Sequence, residues 1–253
     1  MISKWFREGT YKPYSDEVLQ ELILAVKAKV HPWIRLNRVI RDIPNQYIMG
    51  GNSVTNLRQV LQQKLKERGQ ACKCIRCREL KGRTVEEVKL VQRSYRSSGG
   101  REIFLSYETP DEAIICGFLR LRVSSNAGLG GQIPELVGAA LVRELHVYGK
   151  LRPVARRRRR SRSQRDNKQH TGLGRRLMHK AEQIAREAHC SKVAVIAGIG
   201  TREYYRHLGF ELRGTYMVKD IGKASWPTAA MNICLVALVV TAVFLGPAIG
   251  LQA

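Results

Sequence analysis

Gln169 to Glu187 reads QHTGLGRRLMHKAEQIARE, and the passage from a glycine-punctuated loop into a helix within it decides the fold class. From Gly172 to His189 the apolar residues Leu173, Leu177, Ala181, Ile184, Ala185 and Ala188 fall near one face of a 3.6-residue period. One buried stripe along a helix is expected. A glycine at its start lets backbone approach an anion closely, and the N–H groups of the first helical turn supply donors with a favourable dipole. By itself a glycine pair before a helix is usually only a tight connection. The neighbours give it weight: Ala139 to Val147 (AALVRELHV) upstream and Lys192 to Ala197 (KVAVIA) downstream read as strands, and TREYYRHLGF after them as a short helix.

Working outward, Glu102 to Tyr107 (EIFLSY) and Ile114 to Val123 (IICGFLRLRV) add two further strands rich in branched and aromatic residues. Two amphipathic helices are expected nearer the N-terminus. Asp16 to Lys29 places Val18, Leu19, Leu22, Ile23, Ala25 and Val26 at helical spacing, and Asn56 to Arg68 does so with Leu57, Val60, Leu61 and Leu65. The chain is therefore α/β (α+β), with strands and helices mixed between residues 86 and 220 and no repeat of fixed period.

Charge bounds the partner. The 253 residues hold 44 Lys+Arg against 21 Asp+Glu, a net charge of +23, which favours an anionic partner and nucleic acid first among them. A hydrophobic content of 44% excludes a wholly disordered basic tail, and an aromatic content of 7% argues against a protein built mainly to stack single-stranded bases. Lys150 to Lys168 carries ten basic residues, Arg156 to Arg160 contiguous among them, against Asp166 alone; this +9 leaves +14 on the rest. Such a block cannot bury a hydrophobic face and reads as a solvated loop. The body is basic without it.

No charged residue follows Lys223, and Ala229 to Leu245 (AAMNICLVALVVTAVFL) is almost unbroken apolar sequence. A bilayer span needs about 17–25 residues, so membrane association through residues 229–251 and a tail folded back on the body both stand as readings. The N-terminus has no apolar run of signal-peptide length, and a cytoplasmic location is expected.

Cys72, Cys74 and Cys77 form a CxCxxC knuckle, while Cys116, Cys190 and Cys234 are scattered. In a chain of this length that is not a disulfide framework. Three soft ligands suit zinc, which needs a fourth; free buried thiols are the alternative. The CxxxCxxC run of a radical iron–sulfur enzyme is not found in this sequence.

With Gln169, Gly172 and Gly174 in a Q/RxxGxG/A arrangement, and Tyr205 four residues before Gly209 and Phe210, the chain resembles the GNAT acyltransferases. The runs FLSYE, GFLRLR, VRELHVYG, GLGRRLMHKAEQIARE, GIGTREYYRHLGF and YMVK are closer still to the family of Elongator catalytic subunits, tRNA wobble-uridine acetyltransferases. HPWIRLNRVIRDIP and CKCIRCREL extend the likeness through a linker.

That resemblance implies a GNAT-type mixed sheet with flanking helices over 86–220, a cysteine-rich knuckle over 71–85, and the tail end of a radical-SAM barrel over 1–70; the Arg-rich loop at 150–168 and the apolar tail at 221–253 are additions to the pattern. It implies acetyl-CoA as cofactor, with backbone groups of Glu144, Leu145, His146 and Val147 on the pantetheine arm, Leu173, Gly174 and Arg175 on the pyrophosphate, and Gln169 at the mouth of the loop. Tyr205 would donate a proton to the departing thiolate, with Tyr204 second in rank. His31 becomes the expected fourth zinc ligand beside the three cysteines. Transfer RNA is the expected partner; S-adenosylmethionine and a 4Fe–4S cluster belong to a domain of which this chain carries only the end, so a separate radical-SAM chain is a further partner to consider. Two alternatives stay open, a protein lysine acetyltransferase with Glu144 as base and an inactive basic RNA-binding fragment.

Overall fold

A computed structural model describes residues 1–37, 39, 44–149 and 172–222. Gln169, the Lys150 to Lys168 block and the apolar run from Ala229 lie outside the described residues. In chain order the elements are α1 (Ile2–Arg7), α2 (Asp16–Lys29), α3 (Leu57–Glu67), α4 (Ile75–Arg78), β1 (Lys89–Ser97), β2 (Gly100–Glu108), β3 (Ile115–Val123), β4 (Ala139–Val147), α5 (Leu173–Glu187), β5 (Lys192–Val195), α6 (Arg202–Arg206), β6 (Glu211–Arg213) and β7 (Tyr216–Asp220). The strands form one mixed sheet in the order β1-β2-β3-β4-β5-β7-β6. By contact the chain separates into two compact units, residues 1–122 with 142–181, and 123–141 with 182 onward.

In the first unit α2 begins at Ser15, whose hydroxyl accepts from the Val18 N–H, with Asp16 and Glu17 in the first turn and Lys27 and Lys29 in the last. The cap and the charge order both favour a helix here, the cap by about 1 kcal/mol. Its buried face differs from the expected one. Leu24 and Lys27 are buried, whereas Val18, Leu22 and Val26 are about half exposed. Leu57, Leu61 and Leu65 of α3 meet Leu24, Cys72 and Cys74 in one core cluster, with Ile23, Val30, Leu36 and Cys77 against it. A second cluster, Ile75, Phe104, Ile115 and Phe118 with Trp33 and Tyr148, joins the linker to the sheet.

Strands β1 and β2 pair antiparallel from Lys89 opposite Glu108 to Ser97 opposite Gly100. The two-residue turn Ser98–Gly99 has φ of 45° and 71°, the left-handed pair that a tight hairpin requires. Between β3 and β4 the backbones approach closely: a Cβ on Gly117 would lie 3.2 Å from the His146 carbonyl oxygen.

In the second unit β7 lies between β5 and β6, antiparallel to both. Leu136, Ala139, Ala194 and Val218 form its core cluster. Glu182, buried near the end of α5, accepts from Lys219 at 2.8 Å, so the one buried carboxylate on that helix is paired.

Candidate functional site

The loop-to-helix transition that opens α5 has the expected backbone. Gly172 sits at φ +98°, which strains any residue with a Cβ, and its carbonyl accepts from the Arg176 N–H at 3.0 Å, so the helical ladder starts there. The N–H groups of Leu173, Gly174 and Arg175 therefore precede the first intrahelical bond. Leu173, Leu177, Met178 and Ala181 are buried while Gly172 and Arg175 are exposed, which anchors the helix and leaves its first turn open to solvent. Arg176 lays its guanidinium over the Tyr107 ring at 4.7 Å, fixing the second turn to β2.

The four expected pantetheine contacts lie at the end of β4. Glu144 and Leu145 are partly buried, His146 and Val147 exposed. Glu144 is ion-paired with Arg120, Nε to Oε2 3.0 Å, and the Arg120 guanidinium rests over the Phe104 and Phe118 rings at 5.3 and 5.8 Å. His146 packs between Phe118 and Tyr148, at centroid distances of 5.9 and 4.4 Å.

In the second unit, Tyr205 of α6 is 6% exposed, edge-on to Tyr204 at 5.2 Å and to Phe210 at 5.9 Å. Phe210 carries the Lys219 ammonium 5.6 Å from its centroid, and Lys219 is tied in turn to Glu182. Burial, with the neighbouring Tyr204 phenol, pushes the Tyr205 pKa up to about 12. The phenol is thus held neutral and able to donate.

The cysteine knuckle forms where α4 starts. The Sγ atoms of Cys72, Cys74 and Cys77 lie within 4.8 Å of one another, and among the described residues they form a group that can hold a metal ion. Hydrogen bonds from Cys72 and Cys77 pull the Cys74 pKa far down; the bond to Cys74, the one to Cys77 and burial push Cys72 far up. Lys27, fully buried, donates from Nζ to Cys77 Sγ at 3.6 Å, a cation facing the sulfur trio that the sequence reading had not singled out. His31 is not in the sulfur group; its ring stacks on Trp33 at 4.5 Å and 5°, and Trp33 on Tyr95 at 4.9 Å. Sequence reading also passed over the ion pairs of Arg78 and Arg93 with Glu108, which fasten α4 to the sheet.

Among the described residues no helix is long and apolar enough to cross a membrane. Residues 1–67 match the Radical_SAM C-terminal domain family, and residues 165–210 match the acetyltransferase (GNAT) family. The chain is 44% identical over 227 residues to Elongator complex protein 3 of Homo sapiens, covering 85% of this chain and 39% of that one. It is 42% identical over 229 residues to the tRNA uridine(34) acetyltransferase of Dehalococcoides mccartyi, with 87% and 48% covered. The solved structure of Methanocaldococcus infernus Elp3 with an N-terminal deletion superposes with a TM-score of 0.70 at 36% identity, over 86% of this chain and 51% of that one. The chain therefore spans less than half the length of the curated relatives it matches.

Proposed function

We propose, from its similarity to Elongator complex protein 3 and to the tRNA uridine(34) acetyltransferase, that the chain binds acetyl-CoA and uses it in modifying the wobble uridine of transfer RNA. The observation that carries this reading is the opening of α5, where Gly172 at φ +98° precedes a solvent-open first turn inside the stretch that matches the GNAT family. Backbone N–H groups of Leu173, Gly174 and Arg175 would hold the pyrophosphate, with Gln169 completing the loop. Backbone groups of Glu144, Leu145, His146 and Val147 would pair with the pantetheine arm. Tyr205, or failing it Tyr204, would give its proton to the thiolate as the thioester breaks, and burial keeps the Tyr205 phenol protonated for that task. A basic body would meet the phosphates of the RNA with an affinity that falls with salt.

The knuckle fits a structural metal. Three sulfurs clustered within 4.8 Å of one another suit a soft divalent ion, and zinc is the one proposed. Cys72, Cys74 and Cys77 would hold it, with His31 offered as the fourth ligand once its ring leaves Trp33. Bound there, zinc would supply cross-linking of the linker to α2 and α3 and no step of the reaction.

The test is release of free CoA from acetyl-CoA by the full chain, with and without transfer RNA. Turnover that rises when the RNA is added is the expected result. RNA-independent acetylation of a lysine peptide would transfer the chain to the protein acetyltransferases, and failure to bind acetyl-CoA at all would remove the reading.

A further inference from the structure

Residues His31 to Leu36 form a strap across the first unit, held at successive positions. The Pro32 carbonyl accepts from Arg78 Nη2 at 2.9 Å, the Trp33 carbonyl from Arg120 Nη2 at 2.7 Å, and the Ile34 carbonyl from the Ile75 N–H at 2.9 Å. Arg35, next in line, reaches a residue just past the end of β4. Its Nη1 donates to the Tyr148 hydroxyl at 3.2 Å, its Nη2 lies 2.9 Å from Glu79 Oε1, and the Tyr148 hydroxyl donates to that same carboxylate oxygen at 3.3 Å. The hydroxyl has one direction available: it accepts from a cation and donates to an anion. Glu79 is 10% exposed at its side chain, so water competes little for the carboxylate.

Tyr148 is fixed at its other end too. Its N–H donates to the Cys116 carbonyl at 2.9 Å, and its ring lies 4.4 Å from His146 and 6.3 Å from Phe118. The two residues before it, His146 and Val147, are exposed, and a Cβ on Gly117 would lie 3.2 Å from the His146 carbonyl oxygen, so β3 limits how far that strand end can shift. A strand end that is to pair its backbone with a ligand gains affinity when its direction is set beforehand, because the ordering cost is then met in folding rather than in binding. Burial, and after it the Glu79 charge, push the Tyr148 pKa up to about 12, which keeps the hydroxyl a donor at every working pH.

We infer that Tyr148, braced by Arg35 and Glu79 of the linker, is a positioning residue that holds the His146–Val147 backbone in the orientation in which it receives the pantetheine arm of acetyl-CoA. The inference rests on the acetyl-CoA reading above. It gives the linker a task in the transferase site beyond joining two segments of chain.

Calorimetric titration of the full chain with acetyl-CoA and, separately, with ADP as the pyrophosphate half tests it. Tyr148→Phe keeps the ring and removes the hydroxyl; the expected result is an acetyl-CoA Kd raised about fivefold, with the ADP Kd unchanged and the melting temperature lowered only by the few degrees that one lost hydrogen bond costs. Glu79→Gln is expected to act in the same direction, and it arbitrates should Tyr148→Phe fold poorly. A folded variant with wild-type affinity for acetyl-CoA overturns the inference and leaves the acetyl-CoA reading standing, as does an equal loss for both ligands, which marks a merely structural role. A wild-type chain that binds no acetyl-CoA removes the reading and the inference together.

Discussion

Arg78 and Glu108 meet inside the first unit, Nη1 to Oε2 at 2.8 Å, with 7% and 0% of their side chains exposed. The same guanidinium also donates to the carbonyls of Pro32, Lys73 and Glu112, while Arg93 and Ser106 donate to the same carboxylate. A buried pair is worth little against an apolar pair of equal volume, and Arg93 stays on Glu108 when Arg78 is removed, but three carbonyls and part of the carboxylate then lose their donor, at about 1–3 kcal/mol for each such group that water does not reach. Arg78→Met is therefore expected to unfold at a much lower urea concentration than the parent, with an unchanged m-value. A midpoint within error of the parent would show that solvent reaches Glu108 and that this network does not hold the linker.

The same carboxylate sets an acid limit. Burial alone would raise the Glu108 pKa, but hydrogen bonds from Arg93 and Ser106 and the Arg78 charge outweigh it and hold the value below the ordinary 4.5. A group lowered in the folded state contributes stability that is complete above its unfolded value, near 4.5, and is lost as pH falls through the folded one. Urea midpoints taken from neutral pH downward should fall below about pH 4.5 in the parent, and part of that fall should be missing in Glu108→Gln. Parallel curves for the two proteins would show that other carboxylates carry the acid sensitivity.

How much of this was legible follows period and distance along the chain. The α5 stripe, the strands from β2 to β5 and the glycine at the helix start were readable because their signal is local: residues three or four apart, or two apart, face the same way. Strand β1 was missed because it is polar, its residues being alternately exposed and partly buried, so no apolar alternation marks it. Helix α2 was found but its face was misread. Leu24 lies inward with Lys27, and the stripe Val18, Leu22, Val26 that periodicity favours is the exposed one. No sequence pattern reports that a lysine is buried against a cysteine fifty positions later, or that Arg35 reaches Tyr148 across 113 positions. Those contacts exist only once the sheet has brought the segments together.

The sulfur trio predicts metal stoichiometry. The purified chain should hold about one zinc per molecule by elemental analysis, and Cys74→Ser should lose it, because it removes one of the three clustered sulfur ligands. Chelation should lower the melting temperature of the parent and leave that of Cys74→Ser unmoved. A chain that holds no metal as isolated, and whose three cysteines resist alkylation until it is unfolded, would assign them instead to the α2–α3 core as ordinary buried thiols.

Gly172 separates conformation from contact. A Cβ there meets nothing within 4 Å, yet φ is +98°, so Gly172→Ala carries backbone strain of about 1–3 kcal/mol without any clash. If the chain relieves it by rotating φ, the first turn of α5 swings away from the anion. Acetyl-CoA affinity should fall about tenfold, whereas a substitution at Leu90, on the far edge strand β1, should leave affinity alone. Wild-type affinity in Gly172→Ala would show that the pyrophosphate sits elsewhere.

Tyr205→Phe isolates the proton. The ring contacts with Tyr204 and Phe210 survive the change, so stability should hold, while CoA release should drop about a hundredfold or more if the phenol is the acid. With its pKa pushed up to about 12, the phenol stays protonated across the working range, so Tyr205 itself should impose no fall in rate on the alkaline side until pH approaches that value. A rate that declines near pH 8 to 9 in the parent and no longer does so in Tyr205→Phe would contradict this environment. Retention of full turnover by Tyr205→Phe, with loss in Tyr204→Phe, would move the role to the neighbouring ring.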